Sequence, residues 1–217
     1  VCRRNDIHPC TPAMKSTAAL LILFFPLVLI AGPAKTEPTN AAEAAAKKEA
    51  ALAEVAVKYQ AWVSTLTPAH QAWEKVLQEN LGSFYLPLHQ QDKVQGRVNA
   101  WDFVEDDPAL PRILLIGDSV SRGYTVPARK VLSGKANVHR APANCGPTAQ
   151  GIEKLDVWLG DGKWEVIHFN FGIHDRATPL PEYEKRLRQI VDRLAATGAK
   201  LIWATTTPVP DTMDKKY

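Results

Sequence analysis

Three short stretches hold residues whose types and spacing suit chemistry on a substrate: Gly117-Asp118-Ser119, Asn144-Cys145-Gly146-Pro147-Thr148 and Asn170-Phe171-Gly172-Ile173-His174-Asp175. They bring together a hydroxyl, a thiol, an imidazole, carboxyls, amides and glycine backbone N–H groups. A serine hydroxyl is a weak nucleophile until a base takes its proton. Taken singly, each stretch also has a plainer account. Ser119 is a polar turn residue at a strand end. Gly146 and Pro147 form a turn ahead of a helix at Thr148. His174 is a loop histidine hydrogen-bonded to Asp175. Asp118 and Asp175 brace their loops, since no further ligands stand at metal-binding spacing. Cys145 reads as a small buried residue with no evident base beside it to make a thiolate. His139 and His168 fall inside predicted strands, pointing away from the three stretches.

A parallel sheet is what must position these residues. The run "RILLIG" is continuously apolar, as suits a strand buried on both faces. It is followed by a short helix over "TVPARKVLSG", a strand over "ANVHRAP" and a helix over "TAQGIEKLDVWLG". Next come a strand over "WEVIHFNFG", a helix over "LPEYEKRLRQIVDRLAATG" and a strand over "AKLIWATTTPVP". The last helix carries Tyr183, Leu187, Ile190, Val191 and Leu194 on one stripe and ends at Gly198. Strands alternating with helices give right-handed βαβ units. The expected fold is therefore α/β, a three-layer α/β/α domain with a flavodoxin-like parallel sheet, from Pro111 onward. In the strand order 2-1-3-4-5 the three stretches follow adjacent strands. Ligand sites of open parallel sheets lie beyond such carboxyl ends.

Read together, the stretches resemble the blocks of the SGNH, or GDSL, hydrolase family. "GDSV" resembles the Gly-Asp-Ser-Leu block, with valine for leucine. "NCGPT" is similar to the second block, a glycine in the loop after strand two, and "GIHD" resembles Gly-x-Asn-Asp with His174 in the asparagine place. The likeness runs from Pro111 to the end of the sequence. It implies that Ser119 is the nucleophile and that the N–H groups of Ser119 and Gly146 hold the oxyanion. It makes His174 a third donor, a role that a neutral imidazole can fill from one ring nitrogen. Asp118, Asn144, Gly172 and Asp175 are expected in supporting places. The family's Asp-x-x-His block is not found, so its base is expected beyond Tyr217. The 217 residues alone are then expected to be a poor or inactive hydrolase. The resemblance implies no cofactor and no metal.

Ahead of Pro111 the sequence changes character. Met14-Lys15 and the apolar run Ala18 to Gly32 read as a secretory signal peptide over 14–34, interrupted by Pro26 and shorter than the roughly 20 apolar residues of a membrane span. Residues 35–110 read as an Ala-rich linker, a helical hairpin with Thr67-Pro68 opening its second helix, and an irregular connector; 111–217 hold the hydrolase-like domain. Hydrophobic residues are 46% and charged residues 23% of the sequence, which suits a folded domain. The net charge of +3 falls to +1 once Arg3, Arg4, Lys15 and Asp6 are removed with the signal. That balance excludes a basic nucleic-acid-binding class. The expected protein is a secreted or periplasmic serine esterase acting on acyl, including acetyl, esters of small molecules or carbohydrates. A non-catalytic binding protein or an envelope scaffold on the same fold stays open as the rival.

Overall fold

A computed structural model describes residues 40–160 and 162–206. The signal peptide read over 14–34 lies outside the described residues. Four strands, β1 (Arg112–Ile116), β2 (Asn137–Arg140), β3 (Val166–Phe169) and β4 (Lys200–Trp203), form one parallel sheet in the order β2-β1-β3-β4. The register sets Leu115 beside Arg140 on one side and His168 on the other. Three helices connect the strands: α4 (Ser119–Val131), α5 (Thr148–Leu159) and α6 (Leu180–Ala195).

The alternation of side chains along β1 and β3 explains the layers. Leu114, Ile116, Ile167 and Phe169 share a core with Leu155 and Trp158 of α5 and with Ile190 and Leu194 of α6. Each such side chain fully removed from water contributes roughly 1.5–3 kcal/mol. The opposite face meets α4: Arg129 Nε donates to the Val138 carbonyl at 2.9 Å, and Tyr124 packs edge-on to His168. The flavodoxin-like α/β arrangement expected from the sequence is therefore present, with helices on both faces.

The preceding helices are α1 (Asn40–Val63), α2 (Pro68–Asn80) and α3 (Gly82–Val94). The Thr67 side chain caps α2 by accepting from His70 N. α3 lies where the sequence suggests an irregular connector, because Pro87 removes one helical N–H. Packing overrides that local cost. His89 is fully buried, and Tyr85 and Leu86 pack on Leu77, Leu81 and Trp101. Trp101 ties this layer to the sheet: Trp73 Nε1 donates to its carbonyl at 2.7 Å, and the Arg140 guanidinium lies over its ring. Among the described residues no helix is long and apolar enough to cross a membrane.

Candidate active site

β1 passes through Gly117 into α4 without a loop. Asp118 is the N-cap: its Oδ1 accepts from Val120 N at 2.8 Å, satisfying one of the free N–H groups of the first turn. Ser119 is then the first residue of α4, six positions earlier than the helix start read from the sequence at Thr125. It is exposed, and its hydroxyl has no hydrogen-bonded partner among the described residues. The turn is clamped from beneath by Arg140. Its Nη2 donates to the carbonyls of Gly117 and Asp118, each at 3.0 Å, and its Nη1 to Ser121 Oγ. Sequence reasoning missed Arg140. Its position in the strand β2 gave only one signal, a charged residue where a buried strand normally carries none.

The three stretches meet through short contacts. Cys145 N donates to the Gly117 carbonyl at 3.2 Å, and Asn170 N to the Ile116 carbonyl at 3.0 Å. Asp175 is buried and accepts from Thr148 N at 2.8 Å and Thr148 Oγ1 at 2.7 Å, capping α5. With those bonds made, His174 does not bond to Asp175 as the plainer account has it. Its Nε2 instead lies 3.6 Å from Asp118 Oδ2, with the ring partly exposed. Gly172 permits this corner: its φ is +154°, and a Cβ there would stand 1.8 Å from Thr206 Oγ1.

The backbone N–H of Gly146 is already engaged, donating to Gln150 Oε1 at 3.1 Å. Gln150 is a second residue that sequence reasoning missed, since only the first turn of α5 brings it back over Gly146. Beside it, the buried Asn144 Oδ1 has no hydrogen-bond partner among the described residues. Burial pushes the Cys145 thiol up to about 12, so the thiol stays protonated and is no nucleophile at neutral pH.

The two strand histidines differ. His139 Nε2 pairs with Asp106 Oδ1 at 2.6 Å. His168 does not point away from the strand ends, because its register opposite Leu115 puts it on the α4 face near the top of β3. There it lines a pocket of about 140 Å³ with Asp118, Ser121 and Asn170, and its Nδ1 meets the Tyr124 hydroxyl at 3.5 Å. Burial holds its imidazole below the usual histidine range. No cluster of metal-ligating side chains occurs among the described residues.

No family model matches the chain, and no curated protein matches it. Nine chains of solved structures match. One is the crystal structure of TesA, 19% identical, with a TM-score of 0.43, the match covering 48% of this chain and 65% of that one.

Proposed function

We propose that this protein is a serine ester hydrolase of the SGNH type, with Ser119 as nucleophile. The observation that carries the reading is the capped turn: an exposed serine at the first position of a helix, held over a buried guanidinium, with His174 against the capping carboxylate. Attack by Ser119 Oγ on an ester carbonyl puts negative charge on the carbonyl oxygen. The N–H groups at the start of α4 face that charge favourably. His174 turns from Asp118 to donate to the same oxygen, and Gly146 joins once Gln150 swings aside. The substrate class we propose is a small acyl ester, including acetyl esters of carbohydrate, met outside the cytoplasm after the signal at 14–34 is removed. Among the described residues Ser119 has no hydrogen-bonded base.

The bond from Gly146 N–H to Gln150 favours a second reading, a binding protein that keeps the serine turn without a working oxyanion site. A fluorophosphonate probe separates the two. The hydrolase reading expects one labelled residue, Ser119, and no labelling of Ser119→Ala. No labelling of the parent under conditions that label a control esterase selects the binding protein, and labelling that survives in Ser119→Ala overturns Ser119 as the nucleophile.

A further inference from the structure

A cavity of about 790 Å³ opens between α2 and the β2 edge of the sheet, in the size range of small-molecule sites. Ser119, Gly146 and His174 do not line it. One wall is the stripe Ala69, Ala72, Trp73 and Val76, which helical spacing puts on one face of α2. Leu114 and Val157 face it from β1 and α5.

Three carboxylates, Asp102, Glu105 and Asp106, and three guanidiniums, Arg112, Arg129 and Arg140, line this cavity, with Glu105 exposed and the pairing among the rest uneven. Asp106 serves two of its cations, with Oδ2 2.8 Å from Arg112 Nε and Oδ1 2.6 Å from His139 Nε2. Asp102 is paired with Lys93. Arg129 and Arg140 also line the cavity, and neither has a carboxylate within ion-pair distance among the described residues. Arg129 meets only the carbonyls of Val138 and Asn99, at 2.9 and 3.3 Å. Arg140 is 1% exposed, and among the described residues it bonds only to two carbonyls and a hydroxyl and leaves its buried Nε without an acceptor. Guanidinium charge taken from water and hydrogen-bonded only to neutral acceptors is costly, and a bound anion offsets that cost.

We propose that this cavity binds an amphipathic carboxylate, an apolar chain with one anionic head. The chain lies along the Ala69–Val76 stripe and Leu114. The head accepts from Arg129, with the charge of Arg140 behind it. A neutral chain leaves the two guanidiniums unanswered, and a short carboxylate leaves the apolar walls wet. The proposal does not depend on Ser119 as nucleophile, and its test is made in Ser119→Ala so that hydrolysis plays no part.

The experiment is calorimetric titration with decanoate below its micelle concentration, against decanol and butyrate. One saturable decanoate site is expected, with decanol roughly tenfold to a hundredfold weaker for want of a charge-assisted bond, and butyrate without saturable binding. Arg129→Met should bring decanoate down to the level of decanol. Val157→Trp, at a half-exposed position on α5, should weaken both chains by filling the cavity. Should Arg129→Met not fold, Arg129→Lys serves, keeping decanoate within a few fold and still ahead of decanol. Equal affinity for decanoate and decanol, undiminished binding to Arg129→Met, or uptake that never saturates would overturn the proposal.

Discussion

His174 stands where the family resemblance expects an asparagine, and it touches the Asp118 carboxylate at 3.6 Å rather than its neighbour Asp175. Asparagine and neutral histidine share one property that matters here, a donor that can reach an oxyanion. His174→Asn is therefore expected to keep substantial Ser119-dependent hydrolysis. His174→Ala is expected to lose about 2.7–4 kcal/mol of transition-state stabilisation, seen as kcat on p-nitrophenyl acetate. An alanine variant as fast as the parent would make His174 a bystander. Gly172 acts on the same corner through the backbone. A methyl group there collides with Thr206 and forces an L-residue into a conformation it avoids. Gly172→Ala should lower stability by at least about 1–3 kcal/mol, the usual cost of such backbone strain, as a shift in the urea midpoint at unchanged slope. These two residues were legible in the sequence because both fall in the stretch that resembles the Gly-x-Asn-Asp block. Arg140 and Gln150 were not, because their roles come from register and from a helix turn rather than from neighbours in sequence.

At the scale of elements, the buried cluster on Glu74 decides how α1, α2 and α3 hold together. The Tyr59 hydroxyl and His89 Nε2 both donate to Glu74 Oε2, and His70 Nε2 lies 3.2 Å from Oε1. Burial alone pushes the Glu74 carboxyl up. The bonds from His89 and Tyr59, with the charge of the two imidazoles, outweigh that and leave it below the usual glutamate value. A carboxyl whose folded value is depressed contributes stability that is present above its unfolded value, about 4.3. The contribution is lost as pH falls through the folded value. Glu74→Gln is therefore expected to cost stability at neutral pH, about 1–3 kcal/mol for the buried donors it leaves poorly matched. The gap between parent and variant should close as pH is lowered from 5 towards 3. Thermal unfolding of both proteins across that range checks it, and a gap that widens on acidification would remove Glu74 from the account. None of this was visible in advance. Helical periodicity marks which face of α2 is apolar, but Glu74 stands between Trp73 and Lys75 with nothing in sequence to mark it as buried, and only the docking of α1 and α3 encloses it.

For the whole molecule, the sheet and its order were legible because apolar runs and helical stripes alternate at regular length from Arg112 to Trp203. Trp101 as the joint between the helices and the sheet was not, since its contacts with Trp73 and Arg140 span 28 residues in one direction and depend on strand pairing in the other. The two edges of the sheet also differ. On the β2 side, the Asn137 amide exchanges bonds with Asp107, its Oδ1 accepting from Asp107 N at 3.0 Å and its Nδ2 donating to the Asp107 carbonyl at 2.8 Å, so the connector covers that edge. On the other side, β4 pairs with β3 alone among the described residues, and Ile202 and Trp203 are 51% and 52% exposed. A strand edge carrying large apolar side chains templates pairing with another chain, and lysine on such an edge opposes it. These 217 residues are therefore expected to self-associate as concentration rises, and Ile202→Lys combined with Trp203→Lys to reduce that association without unfolding the sheet. Light scattering read beside far-ultraviolet circular dichroism tests both parts. A parent protein that stays monomeric over the same concentrations would show that β4 is not a sticky edge.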